Sequence, residues 1–265
     1  MIIDFHTHAF ADHVAPRAME SLCAGSKGIY KPCTDGTVRG LLNNMDQWGI
    51  DHAVVQPVAT KPSQIVTINQ WARALCGDRL TAFGAFHPYT DDYKRDIDLV
   101  ASLGLKGIKL HPEYQRFRVD HPSMLKMYDY ALSKGLMLMF HAGYDPAFLP
   151  PMHSSPKRFA DVAREMRGGV IIAAHLGGKD QWDDVERYLA GTDVYMDTSM
   201  GFAYYSEEQF LRIVEKHGAD KILFGSDAPW SRAKEEIEAL RNLPLSEDDK
   251  AAILGGNAMR LLGMK

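Results

Sequence analysis

Short apolar, β-rich runs alternate along the chain with longer stretches whose apolar positions recur every three or four residues. Residues 136–140 and 170–173 are continuously apolar, as strands covered by helices on both faces should be. Eight such runs are legible, at 2–5, 53–56, 81–86, 107–110, 136–140, 170–173, 194–196 and 222–224. The stretch 37–48 instead gathers Val38, Leu41, Leu42, Met45 and Trp48 on one helical face, behind a Thr37 suited to an N-cap. Helical patterning also occupies 63–75, 92–103, 123–133, 156–166, 181–189, 207–217 and 234–240, with short closing helices at 246–254 and 257–262. Gly49, Gly104, Gly135, Gly168 and Gly218 fall at the expected helix ends, where a left-handed cap favours glycine.

Eight strand–helix pairs in 265 residues predict an α/β chain folded as one closed (β/α)8 TIM barrel, a single domain over residues 1–265. An open, doubly wound sheet would carry a glycine-rich phosphate turn after a strand, and the sequence has none. The longest irregular stretch, 9–36, holds Pro16, Gly25, Gly28, Pro32 and Gly36. It predicts a long loop insertion after the first strand that serves as a lid.

Composition narrows the partners. Hydrophobic residues at 46% and charged residues at 24% describe an ordinary globular chain. A formal charge of −4 gives no broad basic surface for a phosphate backbone, which argues for a small-molecule substrate and against nucleic acid. Cys23, Cys33 and Cys76 suit reduced thiols rather than a disulfide framework. The N-terminus has no basic-then-apolar leader, and no apolar run approaches the ~20 residues of a membrane span. The expectation is a cytoplasmic protein without a membrane partner; a homo-oligomer is left open.

The chemistry-bearing residues share one kind of position. His6 and His8 follow the first predicted strand, His87, His111, His141 and His175 follow later ones, and Asp227 follows the eighth. In a parallel barrel all C-terminal strand ends open on one face, so these distant residues converge. His6 and His8, two apart, point to one side of a strand. Imidazoles with a carboxylate make a donor set for zinc, iron or manganese. His141 is read as a further ligand and His175 as general acid/base, direct ligation being its alternative. Asp227 is read as ligand and base, against the simpler duty of capping the helix that follows. Lys109 and His111 share parity and are read as substrate-binding; a carbamylated Lys109 bridging two metals, or a lysine reaching solvent, are the other readings. His52 and His217 are assigned no chemistry, His217 because a positive charge suits a helix C-terminus.

In combination these motifs resemble the amidohydrolase superfamily, specifically the metal-dependent barrel hydrolases and decarboxylases of amidohydrolase family 2. The resemblance runs from His6-Thr-His8 through Gly-Ile-Lys-Leu-His-Pro112, Phe-His-Ala-Gly143, Ala-His-Leu-Gly-Gly178 and Phe-Gly-Ser-Asp-Ala-Pro229 to Gly256-Asn-Ala-Met-Arg-Leu-Leu262. In the last motif Asn257 is read as a helix cap. The resemblance implies that His6, His8, His141 and Asp227 match the family's metal ligands. His175 matches a sixth-strand histidine that is catalytic in mononuclear members and a ligand in binuclear ones. The resemblance leaves the metal count open at Lys109 and His111; the cofactor expected is a divalent ion, zinc ahead of manganese or iron and one ion ahead of two. The reaction expected is hydrolysis of an ester, lactone, amide or C–C bond through metal-activated water. The alternative is non-oxidative decarboxylation of an aromatic acid, with Tyr114, Phe117, Phe202, Tyr204, Tyr205 and Trp230 as candidate pocket aromatics. A third reading is a metal-binding barrel without catalysis. The lid is expected to set specificity, with Arg17, Lys27 and Lys31 as candidate anion contacts.

Overall fold

A computed structural model describes residues 1–264. Among them are nine strands: β1 (Ile3–Thr7), β2 (His52–Val55), β3 (Leu80–Ala82), β4 (Gly84–Ala85), β5 (Gly107–Leu110), β6 (Met137–Phe140), β7 (Ile171–Ala173), β8 (Tyr195–Asp197) and β9 (Ile222–Leu223). They pair in sequence order as β1-β2-β3 and β4-β5-β6-β7-β8-β9, parallel throughout. Backbone bonds then join the last strand to the first: Phe5 N donates to Phe224 O (2.8 Å), Asp227 N to His6 O (2.7 Å) and His8 N to Ala228 O (2.6 Å). With helices between successive strands, the fold is the (β/α)8 barrel.

The third barrel strand, expected as one run over 81–86, is split at Phe83 into β3 and β4. Buried Asn69, on the helix Ile65–Leu75, exchanges two bonds with the Ala85 backbone, its Nδ2 donating to Ala85 O and its Oδ1 accepting Ala85 N (both 2.8 Å). A side chain thereby stands in for missing ladder bonds. Phe83 turns into the barrel, where it packs with Ile3, Phe5, Val54, Met139 and Ile172. Gly107 opposite is forced to be small, because a Cβ there would lie within 3 Å of the Phe83 ring. A larger cluster fills the shell between strands and helices, including Val55, Ile108, Leu110, Leu138, Phe140 and Phe224. The alternation between the two clusters along β6 is the period-2 signature of a strand buried on both faces.

Local signals were mostly met. Thr37 caps the helix Val38–Trp48 by accepting Gly40 N (2.9 Å), and Gly49 ends it in the left-handed conformation. Gly218 differs: its φ of 95° comes with an extended ψ of 129°, so it redirects the chain instead of closing a left-handed cap. The segment 9–36, expected to be irregular, contains the helix Ala15–Gly25, held by buried Ala15 and Met19. Phe10 N to Gly36 O (2.8 Å) and a Phe10–Thr37 bridge draw the two ends of the segment together. Asn257 is no cap. Its backbone is helical, and its Nδ2 donates to Ala219 O and Ile222 O (both 2.7 Å), tying the C-terminal helices to the start of β9. No helix among the described residues is long and apolar enough to cross a membrane.

His217 also departs from expectation. It ends the helix Glu207–His217 but is buried, and its Nδ1 accepts Gly191 N (3.1 Å). Burial, and then Lys221 nearby, push its pKa down to about 4, so it is neutral near pH 7 and contributes nothing as a charge on the helix dipole. Below its ordinary pKa of 6.5 the unfolded chain binds this proton and the folded chain does not. Stability is therefore lost as pH falls from about 6.5 to 4, by up to roughly 3 kcal/mol from this residue. Urea unfolding at pH 7 and pH 4.5 should show a smaller acid loss in His217→Gln than in the wild type; equal losses would refute the assignment.

Candidate active site

The C-terminal strand ends open into a cavity of about 810 Å³. Access to it by the first-strand histidines depends on a bulge. Between Asp4 and Thr7 the register on β2 slips by one residue, from Asp4 opposite Ala53 to Thr7 opposite Val55. Ile3 and Phe5 can then fill the barrel interior while His6 and His8 still face the cavity. Buried Asp4 holds the bulge, its carboxyl accepting His6 N (3.2 Å), Ser226 N (2.9 Å) and Ser226 Oγ (2.5 Å). Burial pushes this carboxyl up to about 7, against the lowering by those donors. Gly225 completes the fit, since a Cβ there would sit 2.8 Å from that of His6.

His6 Nε2, His8 Nε2 and Asp227 Oδ1 converge. The two nitrogens lie 3.2 Å apart, and the oxygen lies 3.3 and 3.0 Å from them. Their partners fix the tautomers. His8 Nδ1 faces the Gln56 carbonyl (2.9 Å) and His6 Nδ1 faces Asp197 Oδ2 (2.9 Å), so each Nδ1 carries the proton. Burial, then Lys109, keep His6 well below its ordinary pKa and neutral. Burial raises Asp227, but the imidazoles of His6, His8 and His175 around it outweigh burial and hold the carboxyl well below its usual range. Two lone pairs and a carboxylate oxygen thus point at one another with no proton among them. Donors about 2.0–2.2 Å from a common ion would stand about this far apart, so the trio fits a divalent metal.

The other predicted residues surround this trio. Lys109 Nζ lies 3.1 Å from His6 Nε2; burial pushes it down to about 8, against Asp197 and Asp227. His141, expected as a fourth ligand, lies outside the His6–His8–Asp227 trio and gathers instead with His111 and Asp145, a second set of ligand atoms within 4.8 Å of one another. Its strand, β6, is the fifth of eight around the barrel and stands opposite β1. Its Nδ1 meets His175 Nε2 at 3.1 Å, while its ring stacks on His111 at 4.2 Å. Its Nε2 is buried without a hydrogen-bond partner. His111 faces Asp145 at 3.4 Å, and both line the cavity. His87 is buried, accepts Tyr89 N (3.3 Å) and is not part of the cavity wall.

The family model described as Amidohydrolase matches residues 3–264. The chain belongs to the amidohydrolase family. No curated protein matches this amidohydrolase in sequence. Solved structures share its fold at low identity. A 5-carboxyvanillate decarboxylase from Sphingomonas paucimobilis has 17% identity and a TM-score of 0.71, over 100% of this chain and 99% of that one. A probable 2-pyrone-4,6-dicarboxylic acid hydrolase from Acinetobacter baumannii has 18% identity and a TM-score of 0.66, over 99% of each chain. A dihydroxybenzoic acid decarboxylase from a Polaromonas species, with bound manganese and 2-nitroresorcinol, has 15% identity and a TM-score of 0.66, over 99% and 96%.

Several residues of the amidohydrolase site escaped the sequence reading. Asp197, at the end of β8, accepts from His6 Nδ1, His175 N (3.0 Å), Ser199 N (3.0 Å) and Ser199 Oγ. Its signal in the sequence is an acid directly after the seventh predicted strand, the same kind of position that Asp227 holds after the eighth. Lys179 lines the cavity, with Nζ over the Tyr204 ring at 3.4 Å. Of the six aromatics expected in the pocket only Tyr114 and Trp230 line it; Phe117 and Tyr205 belong to the core. Arg17, Lys27 and Lys31 are exposed and outside the cavity wall. His175, Leu176 and Asp227 adopt positive φ (58°, 52° and 65°) without being glycine, a strained conformation common where side chains must be aimed.

Asp197 keeps the His6 proton on Nδ1, so Asp197→Asn should weaken divalent-metal binding roughly 10- to 100-fold while the fold is retained. Competition with a chromophoric chelator measures the affinity and circular dichroism the fold; unchanged affinity would count against the role given to Asp197.

Proposed function

We propose that this amidohydrolase is a divalent-metal-dependent hydrolase of small-molecule esters, lactones or amides. The observation that carries this reading is the trio of proton-free donors, His6, His8 and Asp227, converging at a cavity floor. A bound ion, zinc by donor preference with manganese or iron as alternatives, would supply a Lewis acid that polarises a carbonyl and acidifies water. Asp227, ionised at neutral pH, accepts the proton that water loses on adding to the carbonyl. His175 and His141, in contact at 3.1 Å, can pass a proton to the leaving atom. Lys109, His111 and Lys179 offer polar contacts for the substrate's oxygens.

A second reading is non-oxidative decarboxylation, favoured by the aromatic rings of Tyr30, Tyr114 and Trp230 in the cavity wall. There the same residues would hold a carboxylate and its neighbouring hydroxyl. A cavity of about 810 Å³ suits a small-molecule partner under either reading. The three free cysteines fit a reducing, cytoplasmic setting.

Metal analysis of the purified protein, joined to a screen of lactones, amides and hydroxybenzoates, separates these readings. We expect about one divalent ion per chain and turnover of a lactone or amide. Carbon dioxide release from a hydroxybenzoate without cleavage of esters or lactones would select the second reading. Asp227→Ala should lower turnover by about a hundred- to ten-thousand-fold with folding retained. Wild-type rates in that variant would remove Asp227 from the chemistry.

A further inference from the structure

The cavity is larger than the polar cluster requires, and its additional wall includes residues of two helices. On the lid helix Ala15–Gly25 and the residue before it, Val14, Ala18 and Leu22 line the cavity at i, i+4, i+8. On the helix Ile65–Leu75, Thr67, Ile68 and Trp71 line it at i, i+1, i+4. These spacings put each set along one face of its helix. Both helices are anchored by other residues, the lid helix through Ala15 and Met19, the other through Ile65, Asn69 and Ala72. Val14, Ala18 and Leu22 belong to none of the hydrophobic clusters that form the core. Ile68 and Trp71 also touch the core, but the Val14–Ala18–Leu22 stripe does not; turned into a cavity continuous with the His6–His8–Asp227 trio, it is a wall that suits an apolar occupant.

We propose that this wall is a subsite for an apolar arm of the substrate: a chain or ring of several carbons attached to the carbonyl group that reacts at the trio. The substrate class is thereby an acyl compound with a hydrophobic tail rather than a single-ring acid, and Ala18, Leu22 and Trp71 determine the tail's size. The head-group end of this proposal rests on the metal-site reading above; the arm itself does not.

The test uses straight-chain hydroxamic acids, from acetyl to decanoyl, bound to the zinc-loaded protein and followed by calorimetry. Affinity should rise about two- to fourfold per added methylene until the arm is filled, the gain expected for burying CH2 groups. In Ala18→Phe, which puts a bulky ring into this part of the cavity, the rise with chain length should disappear; Leu22→Asn should reduce it. Thermal melting verifies that both variants fold. Equal affinity for every chain length overturns the arm. A separate titration of the metal-free protein with octanoate and with acetate keeps the two readings distinguishable. Octanoate binding that is lost in Ala18→Phe, with hydroxamates indifferent to zinc, sustains the arm and overturns the metal site. Failure of octanoate to bind more tightly than acetate overturns the arm whatever the hydroxamates do.

Discussion

The bulge in β1 and the carboxyl group of Asp4 that holds it are the constraint on which the site depends. A regular strand that turned Ile3 and Phe5 into the barrel would send His6 and His8 to the helix side. One extra residue reverses the phase between Phe5 and His6, and Asp4 accepts the His6 amide there. The same carboxyl takes both donors of Ser226, the residue before Asp227. The two chain segments that supply the trio are thus fixed to one another by a single buried side chain, beside the backbone bonds that close the barrel.

The electrostatics follow from that placement. The Gln56 carbonyl and Asp197 each accept a hydrogen bond from an Nδ1–H, and so dictate that the Nε2 atoms arrive as lone pairs. Lys109, its Nζ 3.1 Å from His6 Nε2, brings a cationic side chain into contact with the trio. Its buried amine, titrating near 8, can respond to whatever charge enters the centre. The positive φ of His175 and Asp227 adds a mechanical cost that the surrounding backbone bonds must sustain.

Much of this was legible in the sequence because barrel topology does the gathering. Once eight apolar runs are read as parallel strands, His6, His8, Lys109, His111, His175 and Asp227 must share a face, whatever their separation along the chain. What could not be read were features that depend on phase and distance. The bulge leaves no mark in the alternation of Ile3, Asp4, Phe5 and His6. The break at Phe83 depends on Asn69, a polar residue in an amphipathic helix with nothing to distinguish it. His141 was correctly placed at a strand end, but convergence on one face does not say which histidines touch. The buried, neutral His217 was misread because a helix-end histidine in isolation favours a charge. Burial reverses that preference.

The segment 9–36 is joined to the barrel at a narrow neck, Phe10 against Gly36 and Thr37, with a further tether from Cys33 N to Pro229 O (2.7 Å). A loop closed at its base by its own backbone bonds makes few demands on the barrel beneath. Its length and composition can drift without disturbing the donors fixed by Asp4 and Asp197. In this architecture new selectivity can evolve by rewriting one peripheral module while the chemistry is inherited intact.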